Sequence, residues 1–340
     1  MSPTDKYRRA GVDLDRAEEL KRRIAETVAS TRTRLATGIV GDFGGMVRVP
    51  PDVAEPVLVT STDGVGTKVL VAIRAGRHDT VGEDLVNHSV NDILVHGATP
   101  LAFLDYIAGA NVAPDTVAAL VEGVARGCRA HEMTLAGGET AQMPDMYAPG
   151  HYDLAGTIVG VVPRERVLDR SRVEVGDTLV GFASNGLHTN GYSLARRIVF
   201  DTMGLEADGE LGELGATVGD ALLAIHRSYW HAISPSLGRV HALAHITGGG
   251  IPGNLSRSLP TGCAARVDRA AWPVPPIFRL LAERGGVSDD EMYRVFNMGV
   301  GLIAIVPPSD VDPVRAVASR AGVESWVVGE VVAGEGVRLV

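Results

Sequence analysis

Apolar positions along the chain follow two periods. Leu14, Ala17, Leu20, Ile24, Val28 and Leu35 recur near every 3.6 residues and predict an amphipathic helix over 14–36. Gly38, Gly41, Gly44 and Gly45 end it in a glycine loop. Short apolar, β-branched runs predict strands at 57–61, 101–108, 133–136 and 153–162, with helices at 79–96 and 114–132, the second opened by Pro114-Asp115. Residues 163–177 are polar, charged and broken by Pro163 and Gly176, which places a boundary between an N-terminal domain, 1–165, and a C-terminal domain, 166–340. The second half reads as strand 178–183, helices 191–203 and 219–243, strands 243–247 and 263–268, helix 275–285, strand 300–306, helix 312–321 and strand 325–331. Strands and helices alternate in both halves, so the class is α/β or α+β.

Bulk properties narrow the function. A chain of 340 residues suggests about two domains. The net charge of -9 argues against a nucleic-acid or anionic-membrane surface, each of which wants a basic patch. It leaves room for an anionic small ligand, whose charge a bound cation and backbone dipoles offset locally. The 41 glycines are not periodic and cluster in loops, as phosphate-handling turns do. Cys128 and Cys263 have no metal-type spacing and do not make a disulfide scaffold, which fits a reducing, cytoplasmic setting. The start of the chain has no signal-type apolar core, and no apolar run approaches the roughly 20 residues of a membrane span.

Thr62-Asp63-Gly64-Val65-Gly66-Thr67-Lys68 carries the sharpest chemistry. A strand that empties into an acid, two glycines, a hydroxyl and a lysine can cradle phosphate and present hard oxygen to magnesium. A tight turn with exposed Asp and Lys is the plain alternative. On helix 79–96, Asp84, His88 and Asp92 fall on one face at steps of four, beside Asn87 and Asn91. That stripe is either a solvated outer face or a site in which Asp92 is a metal ligand and His88 a hydrogen-bonding residue. Gly137-Gly138-Glu139-Thr140 reads as a glycine turn with a third carboxylate. Three acids on separate loops could hold more than one magnesium.

Asn185-Gly186-Leu187-His188-Thr189-Asn190-Gly191 joins a strand to a helix, where amides attract anions and His188 could transfer a proton; an N-cap with His188 exposed is the alternative. His245-Ile246-Thr247-Gly248-Gly249-Gly250 is a glycine run after a strand. With Gly253 it satisfies G-x-G-x-x-G, but Pro252 and Pro260 leave no room for the crossover helix of a dinucleotide fold, so a phosphate loop or a plain turn is the better reading. Neither G-x-x-x-x-G-K-[ST], H-E-x-x-H nor G-x-S-x-G occurs.

These segments resemble one family. Thr62–Lys68, Val90-Asn91-Asp92 with His96–Pro100, Gly137–Pro144, Asp153–Gly156, Gly186–Leu194, His245–Gly250 and Glu291–Gly301 are similar, in order, to the phosphoribosylformylglycinamidine cyclo-ligases, and the similarity begins at Tyr7–Asp13. The resemblance implies a two-domain, non-P-loop ATP-binding fold. Its N-terminal mixed sheet with helices pairs across a homodimer, and its C-terminal domain is α/β. It also implies ring closure of formylglycinamidine ribonucleotide to aminoimidazole ribonucleotide with ATP and Mg2+, a monovalent cation being left open. Partners are then small-molecule nucleotides. By the same resemblance, Asp63, Asp92 and Glu139 go to magnesium. Gly64, Gly66, Thr67 and Lys68 go to nucleotide phosphates, with Gly41, Gly44, Gly45, Asn91, Gly137, Gly138 and Thr140 around the nucleotide. His188, Asn190 and Gly248, Gly249 and Gly250 lie toward substrate or phosphate, and Asp63, Lys68 and His188 are the catalytic candidates. The chain departs from the family pattern at Ala25, Asp42, Gln142 and Asn185. Other enzymes of the superfamily, such as thiamine-phosphate kinases and selenophosphate synthetases, are the competing reading, with a non-catalytic nucleotide-binding regulator behind them. Selenophosphate synthetases want an early Cys, and none precedes Cys128.

Overall fold

The computed structural model describes residues 14–39, 41 and 43–340; Asp42 and the Tyr7–Asp13 segment lie outside the described residues. The elements, in order, are α1 (Leu14–Ala29), β1 (Ala36–Thr37), β2 (Met46–Val47), β3 (Pro56–Gly64), α2 (Lys68–Ala75), α3 (Asp79–Leu94), β4 (Thr99–Gly109), α4 (Pro114–Ala130), β5 (Thr134–Gln142) and β6 (Tyr152–Pro163). The second half holds β7 (Thr178–Ala183), α5 (Tyr192–Arg196), β8 (Glu210–Leu211), β9 (Ala216–Thr217), α6 (Val218–Leu222), α7 (Trp230–Ile233), β10 (Ala242–His245), α8 (Gly250–Leu255), β11 (Cys263–Val267), α9 (Pro276–Gly285), α10 (Asp289–Val295), β12 (Val300–Val306), α11 (Val311–Arg320), β13 (Ser325–Ala333) and β14 (Gly336–Leu339).

The first half forms a four-stranded sheet in the order β3-β6-β4-β5, antiparallel except for the parallel pair β4–β5. One face is covered by α3 and α4. These two helices touch backbone to backbone: a Cβ on Gly82 would lie 2.3 Å from the Leu120 carbonyl oxygen, and one on Gly123 would lie 2.0 Å from that of Asp79. Glycine at both crossings lets α3 sink until almost its whole length is buried. The other sheet face stays open, with Leu58 54%, Leu104 38% and Tyr106 38% exposed. The second half forms a six-stranded sheet in the order β10-β12-β7-β13-β11-β14, antiparallel except for β11–β14. Its β12, Val-Gly-Leu-Ile-Ala-Ile-Val, is buried at every position and therefore reads as an unbroken apolar run.

Several elements depart from the pattern predicted. The first helix stops at Ala29, because Thr31 and Thr33 turn to the start of β5: the Thr31 hydroxyl accepts from Leu135 N–H at 3.0 Å, and Thr33 N–H donates to the Thr134 hydroxyl at 3.1 Å. Helix α2 stands where the phosphate-loop reading ended. Residues 137–140 belong to β5, so the expected glycine turn is a strand. The helix expected over 219–243 is broken into α6, α7 and a 3-10 stretch, and residues 224–229 are irregular. Cys128 and Cys263 are both buried free thiols. Among the described residues, no helix is long and apolar enough to cross a membrane.

Candidate active site between the two halves

Strand β3 continues past its apolar run to Gly64, and its alternation turns Val57, Val59, Ser61 and Asp63 toward the helices. Asp63 thereby meets the polar stripe of α3. His88 Nε2 lies 2.8 Å from Asp63 Oδ2 and 3.4 Å from Asp92 Oδ2, so one imidazole bridges the two carboxylates. Ser61 Oγ donates to Asp92 Oδ2 at 3.2 Å. The other Asp92 oxygen lies 2.8 Å from His245 Nδ1 at the end of β10. His245 Nε2 is 3.2 Å from His226 Nε2, and His226 Nδ1 is 3.2 Å from the Thr189 hydroxyl. That hydroxyl is 2.7 Å from His88 Nδ1, which closes the ring of contacts. The stripe is therefore buried between the two halves, and the solvated-face reading of it does not hold.

Charge is concentrated here. Burial works against a charged His88, but its hydrogen bonds to Asp63 and Asp92 outweigh that cost and push it up to about 9. Burial also opposes ionisation of Asp92, yet hydrogen bonds from His245 and His88 hold its carboxyl well below the usual range. Asp63 is lowered too, with His88 overriding partial burial. The site is thus two carboxylates with a positive charge held between them.

Four candidates stand elsewhere than the sequence suggested. Lys68 was expected on phosphates, but its side chain is fully buried. Its ammonium lies 2.9 and 2.8 Å from the two oxygens of Asp84, and it donates to the carbonyls of His188 at 3.1 Å and Ala224 at 2.7 Å. With its donors so engaged, it ties the halves together. Asn91, expected at the nucleotide, is likewise fully buried: its amide donates to the Arg227 carbonyl at 2.9 Å, and its oxygen accepts from Tyr229 N–H at 2.9 Å. His188, expected to transfer a proton, is 1% exposed and stacks on His226 with ring centroids 4.0 Å apart. Burial holds it well below its ordinary value, hence neutral. Glu139 does not join Asp63 and Asp92. Asp63 pairs with Gly156, Gly156 with Asp105 and Asp105 with Gly138, so Glu139, one residue on, pairs with Tyr106 and takes the opposite sheet face.

The remaining candidates line loops or edges. Gly64 ends β3, and Gly66 takes a left-handed φ of +69° before α2. The Thr67 hydroxyl lies 3.2 Å from that of Ser193 across the halves. Gly41 and Gly44 have open space around them, Gly45 packs on Ala136, and Gly137, Gly138 and Thr140 lie along β5. Gly250 has φ +61° and a Cβ there would sit 1.9 Å from the Tyr293 carbonyl oxygen, so only glycine allows this approach. Gly248 faces Asn190, whose side-chain amide nitrogen is buried and without a partner among the described residues.

Three residues of the site went unassigned in the sequence. His245 was visible only as the residue before the glycine run. His226 falls in the stretch read as helix, with no local signal. Asp105 stands in the cross-strand row of Asp63, and burial pushes its carboxyl up to about 7. The network runs on through Asn87, which donates to the His226 carbonyl at 2.8 Å and meets His131 Nε2 at 3.1 Å. His131 stacks on His231 of the second half and is pushed down to about 4, first by burial and then by His231. Below its ordinary value of 6.5, an unfolded chain takes up a proton that the fold refuses, so His131 subtracts stability as pH falls from 6.5 to about 4. The expected loss is on the order of 3 kcal/mol. Urea unfolding at both ends of that window should show a smaller drop for His131→Gln than for the parent protein; equal drops would remove His131 as the cause.

Comparison with known proteins agrees with this architecture. Residues 41–162 match the AIR synthase related protein, N-terminal domain, and residues 174–340 match its C-terminal domain. The phosphoribosylformylglycinamidine cyclo-ligase of Sorangium cellulosum (strain So ce56) is 48% identical over 330 residues, 96% of this chain and 95% of that protein. That of Myxococcus xanthus (strain DK1622) is 48% identical over 333 residues, 97% and 96% of the two chains. Among solved structures, the thiamine-monophosphate kinase from Stenotrophomonas maltophilia K279a has a TM-score of 0.71 at 18% identity, covering 93% of this chain and 95% of that one. E. coli HypE has a TM-score of 0.65 at 19% identity, covering 95% and 93%. The hydrogenase maturation protein HypE in complex with ATP has a TM-score of 0.62 at 17% identity, covering 92% and 86%. At these identities the solved structures speak for the fold alone, whereas the full-length relatives speak for the family: this chain is a member of the phosphoribosylformylglycinamidine cyclo-ligases.

Proposed function

We propose that the protein closes the imidazole ring of aminoimidazole ribonucleotide from formylglycinamidine ribonucleotide, converting ATP to ADP and phosphate. The observation that carries the reading is the pair Asp63–Asp92, held around a positive charge at the end of β3 beside the Gly64–Thr67 loop. Two carboxylates that already enclose a cationic imidazolium suit a hard divalent ion, so Asp63 and Asp92 are the residues that would hold magnesium. When bound, magnesium supplies charge neutralisation and alignment of the phosphates. The family membership and the ATP-bound HypE neighbour support the use of ATP. Gly64, Gly66 and Thr67 offer backbone approach and a hydroxyl to the phosphates, while the unpartnered amide of Asn190, beside Gly248, is a buried donor suited to an anionic oxygen.

The chemistry needs little else from side chains. A formamide oxygen is a poor leaving group. Transfer of the γ-phosphoryl group to it, with ADP released, turns it into one. The amidine nitrogen of the same molecule then attacks the formyl carbon, and phosphate departs. Holding the substrate curled makes that attack intramolecular, worth about 7–11 kcal/mol. The open sheet face with Leu58, Leu104 and Tyr106 supports a homodimer formed across it, and Glu139 opens onto that same face.

Incubating the purified protein with formylglycinamidine ribonucleotide and Mg-ATP should produce aminoimidazole ribonucleotide in step with ADP. Release of ADP without that product would assign the chain to a different activity on the same fold.

A further inference from the structure

We infer that His88, Asp92 and His245 form a binding site for a borderline divalent cation of the zinc class, which shares Asp92 with the carboxylate pair suited to magnesium but differs from it in its two imidazole donors. One ligand atom from each lies within 4.8 Å of the others. The two imidazoles are 5% and 7% exposed, so the donors are set in the protein interior. Two imidazole nitrogens and one carboxylate are a donor set preferred by zinc, cobalt or nickel over magnesium, which favours oxygen alone.

The contacts around His245 set the direction of its ring. Tyr229 N–H donates to Asn91 Oδ1 at 2.9 Å, which fixes the amide. Asn91 Nδ2 therefore donates to His226 Nε2, 3.2 Å away, and makes that nitrogen an acceptor. His245 Nε2 also lies 3.2 Å from that nitrogen, which leaves Nδ1 on the Asp92 side. Nδ1 faces the Asp92 carboxylate at 2.8 Å, so a metal held by both would take the place of the hydrogen bond between them. On the other side, Nδ1 of His88 is anchored on the Thr189 hydroxyl at 2.7 Å, which turns Nε2 toward Asp63 at 2.8 Å and Asp92 at 3.4 Å; a metal bound there displaces the proton that Nε2 otherwise holds between them. Because Asp92 belongs also to the pair proposed for magnesium, a zinc ion here takes that carboxylate out of magnesium's reach. The binding itself stands on geometry and does not depend on the proposed reaction.

The test uses the full-length protein stripped with chelator, titrated with Zn2+ by calorimetry and with Co2+ by visible absorption, together with anomalous scattering from zinc-soaked crystals. The expected result is one bound equivalent that millimolar Mg2+ does not displace, anomalous density between His88, Asp92 and His245, and at least about tenfold weaker zinc binding in His88→Asn and in His245→Asn. Density elsewhere, no density, or unchanged affinity in either folded variant overturns the proposal. If the variants do not fold, the anomalous map of the parent protein decides alone. Zinc binding without ring closure leaves the site standing and rejects the reaction; ring closure without zinc binding does the reverse.

Discussion

Asp63→Asn is expected to cost about 10²–10³-fold in kcat for ring closure while the protein stays folded. The substitution keeps the shape of the side chain and removes the charge that faces His88. Loss of one preorganised electrostatic group at a phosphoryl-transfer centre is worth about that factor. The fold should tolerate it, because the Asp63 side chain is 44% exposed and its loss strands no deeply buried partner: His88 keeps Asp92 at 3.4 Å and Thr189. Steady-state kinetics over a range of Mg2+, with circular dichroism as the control, measures both halves. Parent-like turnover in the folded variant would take Asp63 out of the mechanism.

Lys68→Met is expected to fail in the opposite way, through stability. The ammonium compensates a fully buried Asp84 and satisfies two carbonyls from the second half. Burial lowers the lysine and raises the aspartate, and each charge offsets that cost for the other. Removing one partner of such a pair costs about 3–5 kcal/mol, whereas replacing both with apolar groups is often neutral or better. Urea unfolding should therefore show Lys68→Met strongly destabilised and Lys68→Met/Asp84→Leu partly recovered. The recovery is partial because Asp84 also accepts from the His226 N–H at 2.6 Å. A Lys68→Met protein of normal stability with collapsed kcat would restore Lys68 to the phosphates.

The two misread features share a cause. Periodicity and turn chemistry report on a residue's neighbours in sequence, and they located most strands of both sheets, though neither β14 nor the second half of β5, together with the polar face of α3. They could not see partners far away. Lys68 sits in a motif that looks like a phosphate loop, and only the carbonyls of residues 188 and 224 reveal its use. Residues 224–229 look helical, yet their backbone groups are taken by buried side chains: Lys68 binds the Ala224 carbonyl, Asp84 the His226 N–H, Asn87 the His226 carbonyl and Asn91 the groups of Arg227 and Tyr229. Glu139 was misplaced by a simpler error: a glycine pair read as a turn is a strand, and alternation sends the acid to the far face. The family resemblance rested on the order of segments, so it was legible although these individual roles were not.

The bonds that cross between α2 and α3 on one side and residues 188 and 224–229 on the other have a mechanical meaning. They are short, buried and directional, and they come from Lys68 of α2 and from Asp84, Asn87 and Asn91 of α3. A jaw-like opening of the two halves would have to break them together and leave charged groups dry and unmatched. Substrate entry is therefore expected to rely on surface segments at the rim more than on hinging of the two halves.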